Sequence, residues 1–190
     1  MLSYSDLNKG TVFILEGDPY QVLDYQFLRM QQRKPLAQTK IKNLISGKIV
    51  QRNFHQNETF EEVEIEKEEI NFIYSNRGEY WFTKKGDPKQ RFMISEEILA
   101  GAMKYLKPNT IIIAEKFKEK IIGVKLPIKM DFKVIEAPPV IRGNTSSGGG
   151  KTVILENGLT VQTPFFIEAG DIVRVNTNSG EYTERVGKEK

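Results

Sequence analysis

The residues best able to act on a ligand lie at Arg29-Met30-Gln31-Gln32-Arg33-Lys34-Pro35-Leu36, between two runs of β character. Arg33 and Lys34 are adjacent cations at a hairpin-loop position, where a strand pair can hold them out toward phosphate or a polar ligand. Arg brings a planar fork that grips phosphate and stacks on bases, and Lys a compact charge open to covalent modification. The same residues would serve equally as the solvated end of a charged hairpin. A second stretch, Gly143-Asn144-Thr145-Ser146-Ser147-Gly148-Gly149-Gly150-Lys151-Thr152, ends as a phosphate-cradling P-loop ends. That pattern needs a glycine where Thr145 stands. It also needs a helix afterwards, whereas Val153-Ile154-Leu155 and Leu159-Thr160-Val161 read as strands about an Asn157-Gly158 turn. Nucleotide hydrolysis is therefore rejected, and what remains is a flexible, glycine-rich loop whose backbone N–H groups serve RNA or no ligand at all.

Other chemistry lacks its parts. The chain has no cysteine, which removes disulfides, thiolate metal sites and a cysteine nucleophile. His55 is the single histidine, too few for the usual zinc sites or histidine relays. No nucleophile elbow, triad or metal-ligand spacing appears. A binding protein rather than an enzyme is expected, with no cofactor and no metal.

Charge points the same way. The net charge is only +3, but between Asp24 and Glu58 there is no acidic residue and there are seven basic ones: Arg29, Arg33, Lys34, Lys40, Lys42, Lys48 and Arg52. Such a stretch is a footprint for nucleic acid, or a solvated face balanced by the Glu-rich segment 58–69.

These residues must be positioned by β structure. With 190 residues, 39% hydrophobic and 28% charged, the chain suits a soluble protein of two or three small domains. No apolar run approaches the roughly 18 residues of a membrane span, and Met1-Leu2-Ser3 begins no signal peptide, so no membrane partner and a cytoplasmic location are expected. Short alternating runs recur between turn signals, as in barrels and sandwiches. Thr11–Leu15 and Tyr20–Leu28 flank Glu16-Gly17-Asp18-Pro19, where Gly supplies positive φ and Pro should block ladder pairing. One helix is expected, capped by Ser95, with Ile98, Leu99, Met103 and Leu106 on one face and a stop at Lys107-Pro108-Asn109. A lone helix between the third and fourth strands of a five-stranded set is the plan of an oligonucleotide-binding (OB) fold. The expected fold is all-β, three consecutive small β-barrels: 1–65, SH3-like; 66–127, an OB fold; and 128–190, a second barrel. An Asn-x-Gly-Glu-Tyr echo at Asn76–Tyr80 and Asn178–Tyr182 raises the question of a duplicated domain.

Several ordered motifs resemble the bacterial elongation factor P family. They are Gly10-Thr11 with Gly17-Asp18-Pro19-Tyr20-Gln21-Val22-Leu23, Gln38-Thr39-Lys40-Ile41-Lys42-Asn43-Leu44, and Tyr74 with Gly78-Glu79-Tyr80-Trp81-Phe82. Nearer the C-terminus are Gly143-Asn144-Thr145, Val161-Gln162-Thr163-Pro164-Phe165-Phe166-Ile167 and Gly180-Glu181-Tyr182-Thr183-Glu184-Arg185-Val186. The resemblance covers the whole chain. It implies a KOW-type barrel and two OB barrels in an L-shaped arrangement mimicking tRNA. It further implies a monomer whose partners are both ribosomal subunits and peptidyl-tRNA, acting between the peptidyl-tRNA and exit sites to relieve stalling at consecutive prolines. By the same resemblance, Met30, Gln31, Gln32, Arg33, Lys34 and Pro35 form the loop at the tRNA acceptor end. Gly143, Asn144, Thr145, Tyr182 and Arg185 would contact the small subunit. The alternative is an OB/SH3-like RNA-binding protein acting off the ribosome.

Three features depart from the family pattern. The loop typically reads Pro-Gly-Lys-Gly with a tip Lys that a modifying enzyme lengthens. A gapless match puts Gln32 at that tip, Met30 and Gln31 in place of Pro-Gly, and Lys34 as the nearest lysine. Asn144 replaces the usual Asp. The pI is near 8.9, where many members are acidic.

Overall fold

Alternating apolar residues on short runs can bury one face of a strand each, and the turns between them decide which strands meet. The computed structural model of the chain describes residues 1–28, 35–139 and 150–188. It is almost entirely β. In chain order the elements are β1 (Leu2–Ser3), a 3-10 turn (Tyr4–Asp6), β2 (Val12–Leu15), β3 (Asp18–Leu28), β4 (Leu36–Asn43), β5 (Ile49–His55) and β6 (Thr59–Phe60). Next come β7 (Glu66–Asn76), β8 (Glu79–Lys84), β9 (Asp87–Ile94), α1 (Glu96–Leu99), a 3-10 segment (Ala100–Tyr105), β10 (Ile111–Phe117) and β11 (Lys120–Lys125). The last are β12 (Lys129–Glu136), β13 (Gly150–Leu155), β14 (Thr160–Pro164), β15 (Asp171–Asn176) and β16 (Tyr182–Lys188). The chain packs as two compact units, 1–68 with 114–123 and 69–113 with 124–190.

In the first unit β2-β3-β4-β5 form an antiparallel sheet, and β1 pairs with β6. Leu7, Phe13, Val22, Ala37, Ile41 and Phe54 fill its core. Phe13, Phe54 and Phe60 meet edge-on, with centroids 4.8–5.8 Å apart. The turn before β3 departs from expectation at Pro19, which lies inside the strand opposite Ile14. The ladder adapts: the Ile14 N–H donates to the Glu61 carbonyl at 2.9 Å, and the Pro19 carbonyl accepts from the Leu44 N–H at 2.9 Å. After β4, the Asn43 carboxamide oxygen accepts from the Ile45 and Ser46 N–H groups at 2.9 and 2.8 Å. That side chain thus stands in for backbone through the turn.

The middle sheet runs β11-β10-β7-β8-β9 and the C-terminal sheet β14-β13-β12-β15-β16. Numbered within each set, these orders are identical, 5-4-1-2-3. The Asn-x-Gly-Glu-Tyr echo does not mark that likeness. Asn76–Tyr80 joins the first and second strands of its set, and Asn178–Tyr182 precedes the fifth strand of the other.

The expected single helix is broken. Four residues of α-helix end at Leu99, Ala100 takes φ 45°, and 3-10 turns follow. Ser95 makes no side-chain cap; its carbonyl accepts from the Ile98 and Leu99 N–H groups instead. The break re-aims the chain so that Leu99, Tyr105 and Leu106 are buried while Met103 is only partly so. Within the second unit Tyr105 joins Phe132, Val134, Val153, Leu155, Val173 and Val175 in the C-terminal core. Lys107 follows it, donating to the Asp131 carbonyl and to Glu156 at 3.0 Å with its ammonium 5.2 Å from the Phe132 ring centroid. The Asn157 amide donates to the Lys104 carbonyl at 2.8 Å.

Candidate nucleic-acid interface

The β3–β4 ribbon frames the first candidate segment. Its register runs from Tyr20–Asn43 to Leu28–Leu36, with a bulge between Val22 and Asp24, and Val22, Ala37 and Ile41 anchor it in the core. Leu28 and Leu36 are thus paired at either end of the segment. Arg29, Met30, Gln31, Gln32, Arg33 and Lys34 lie outside the described residues; Pro35, just before β4, is partly buried. On the ribbon a shallow groove of about 190 Å³ is lined by Asp24, Gln26, Gln38, Lys40 and Gln51. Arg52 pairs with Glu16 at 2.9 Å and lies 5.6 Å from the Phe54 ring centroid, and Lys40 stands opposite Asp24.

Gly143, Asn144 and Thr145, the second candidate segment, lie outside the described residues as well. The Lys151 ammonium donates to the Pro138 carbonyl at 3.2 Å, tying the entrance to the exit. Gly150 opens β13 against Pro164, and a Cβ there would stand 2.9 Å from the Thr163 carbonyl oxygen. A strand, not a helix, follows Gly150-Lys151-Thr152, so the P-loop likeness ends in sequence.

Tyr182 and Arg185 share β16. Tyr182 packs against the C-terminal core opposite Val175. Arg185 places Nη2 2.8 Å from Oδ1 of Asp171, whose side chain is 1% exposed. Both residues have intramolecular partners, which spacing alone did not reveal. Next to them Arg174 bridges Asp131, at 2.7 and 3.0 Å, and Glu184, at 2.8 Å. The guanidinium holds the Asp131 carboxyl below the usual carboxylate range, and its own pKa is raised in return.

Among the described residues no group of three or more His, Cys, Asp or Glu could hold a metal ion. No helix among them is long and apolar enough to cross a membrane.

Comparison with known proteins agrees along the chain. The family model for the elongation factor P KOW-like domain matches residues 3–60, and that for the elongation factor P C-terminal domain matches residues 130–185. Elongation factor P of Carboxydothermus hydrogenoformans is 34% identical over 98% of this chain and 100% of its own length. That of Thermodesulfovibrio yellowstonii is 36% identical over 98% and 99%. Among solved structures, a eukaryotic-type translation initiation factor 5A from Methanococcus jannaschii is similar with a TM-score of 0.49 and 12% identity, covering 66% of this chain and 90% of that one. With two domain models matched in order and relatives alike from end to end, the chain belongs to the elongation factor P family of translation factors.

Proposed function

We propose that this chain binds the ribosome between the peptidyl-tRNA and exit sites and stimulates peptide-bond formation, relieving stalling at consecutive prolines. Family membership along the whole chain carries the reading. It acts as a cytoplasmic monomer in three domains, 1–65, 66–127 and 128–190, without catalysing bond chemistry itself. Proline is a poor acceptor because its ring fixes φ and crowds its secondary amine. Holding donor and acceptor in attack geometry lowers the barrier with no group on the factor making or breaking a bond.

In this reading the segment 30–35 works at the acceptor end of peptidyl-tRNA. Gln32 offers an amide donor and an acceptor but no amine to be lengthened. Arg33 and Lys34 bring positive charge to a dense phosphate environment, and Pro35 stiffens the return into β4. Lys34 is the lysine nearest the tip for a modifying enzyme. Gly143, Asn144 and Thr145, with Tyr182 and the exposed part of Arg185, meet the small subunit.

The test is reconstituted translation of a template encoding consecutive prolines, alongside co-sedimentation with ribosomes. The wild-type chain is expected to sediment and to rescue synthesis. Arg33→Ala with Lys34→Ala should abolish rescue and leave proline-free synthesis unchanged. Full rescue by the double variant, made without any modifying enzyme, would remove charge as the segment's contribution. A wild-type chain that binds RNA but neither sediments nor rescues would favour a role off the ribosome.

A further inference from the structure

The middle sheet turns an unusual face outward. Phe72 and Phe82 point into the core, so Asn71, Trp81 and Thr83 alternate away from it, and a bulge between Phe72 and Tyr74 brings Tyr74 round to the same side as Trp81. Tyr74 stands opposite Trp81, and Trp81 opposite Met93. The two rings lie 6.3 Å apart, centroid to centroid, with only 20° between their planes, and Tyr74 and Met93 are 41% and 54% exposed. The Trp81 indole N–H donates to Glu79 at 3.3 Å, which fixes its orientation. One step along the sheet, Asn71, Thr83 and Arg91 form the next cross-strand row. There a cavity of about 260 Å³ is lined by Asn71, Thr83, Lys84, Lys85, Pro88 and Ile111. The Asn71 carboxamide oxygen is shielded from solvent and has no hydrogen-bond partner.

We propose that this face binds an unpaired stretch of RNA, one base lying against the Tyr74–Trp81 pair and its neighbour over the row Asn71, Thr83 and Arg91. Near-parallel aromatics, Tyr74 exposed and Trp81 partly so, offer a ring face that any base can stack on. Unpaired RNA, unlike a duplex, can splay a base onto such rings and offer its amino or 2′-hydroxyl donors. The segment from Arg77 to Arg91 carries five cations, Arg77, Lys84, Lys85, Lys89 and Arg91, against the carboxylates Glu79 and Asp87, with Glu96 beside Gly78, and this net positive charge suits a phosphate backbone. Lys85 also pairs with Glu69. In an OB fold the face of the second and third strands, with the loop joining the first two, is where oligonucleotides are taken. Here those parts are β8, β9 and the turn holding Arg77. The inference deepens the ribosome reading by naming what kind of RNA the middle sheet meets, and it rests on that reading for where the RNA is found.

Trp81 is the sole tryptophan beside seven tyrosines, so emission excited selectively at tryptophan reports on this face. The experiment titrates the full chain with a short unstructured RNA oligonucleotide, and separately with an RNA duplex of equal length. Saturable quenching is expected with the single strand and not with the duplex, weakening as salt rises. Tyr74→Ala should weaken binding about tenfold or more, and Arg91→Ala should lessen the salt dependence, both with unchanged thermal stability. Absent quenching, equal quenching by the duplex, or an affinity indifferent to Tyr74→Ala overturns the proposal; quenching by peptides instead of RNA would make the face a protein dock. Ribosome co-sedimentation of the same samples separates the two readings. A wild-type chain that sediments without being quenched by RNA sinks this inference alone, and one that is quenched without sedimenting sinks only the ribosome reading.

Discussion

Arg185 lies 2.8 Å from the Oδ1 of Asp171, a carboxylate with 1% of its side chain exposed, while the other oxygen of Asp171 accepts the Glu168 N–H at 2.9 Å. The guanidinium is the counter-charge for a buried anion. Arg185→Ala should therefore destabilise the protein by about 1–3 kcal/mol through loss of the counter-charge, less than for a wholly buried pair because the Arg185 side chain is 39% exposed. Adding Asp171→Asn should restore much of it. Urea unfolding of the two single variants and the double variant checks this, and strict additivity would contradict it.

Tyr105 is 3% exposed and its ring centroid lies 6.4 Å from that of Phe132. Tyr105→Ala should cost about 3–5 kcal/mol, the range for deleting a buried aromatic. Hydrogen exchange should show lost protection in both the middle and C-terminal sheets; loss confined to one would mean that Tyr105 does not couple them.

Acid should act through Asp131. Because Arg174 lowers its folded-state pKa below the ordinary 3.8, the pair adds stability that is fully present above that value. The contribution fades as pH falls through the lower folded-state value. Asp131→Asn should therefore be less stable than wild type at neutral pH, with the gap closing in acid below the ordinary carboxylate range. Thermal melts from neutral pH down to about pH 2 test this, and a gap that widened on acidification would contradict it.

Gly150 has no room for a side chain. With Thr163 backbone 2.9 Å from a built Cβ, Gly150→Ala should cost about 1–3 kcal/mol by displacing β13 from β14. By contrast, deleting Ser146–Gly149 should leave the melting temperature nearly unchanged and weaken ribosome binding. Unchanged binding would remove this segment from the interface.

Much of the architecture was legible because strands announce themselves locally. Alternation at Ile70–Tyr74 and the glycines of Gly17 and Gly158, both at positive φ, depend on nearest neighbours alone. The helix misled because Ile98, Leu99, Met103 and Leu106 do have helical spacing, but packing of Tyr105 against distant Phe132 overrode it. Arg185 was likewise unreadable as a counter-ion, since its partner Asp171 sits on the adjacent strand and only register brings them together. The Tyr74–Trp81 pair was visible as two aromatics within one motif; their stacking depended on the bulge between Phe72 and Tyr74.

The burial of Tyr105 sets an order of events while the chain is being made. Tyr105 leaves the synthesising ribosome before any of the strands that cover it, and β12 must wait for β15, made after β13 and β14, before its central ladder closes. Pairing across such a gap is slow, and domains generally fold from the N-terminus as they emerge. A chain truncated ahead of Val173 and Val175 would therefore lose more than its last sheet, leaving Tyr105 of the preceding segment as exposed apolar surface for quality control to find.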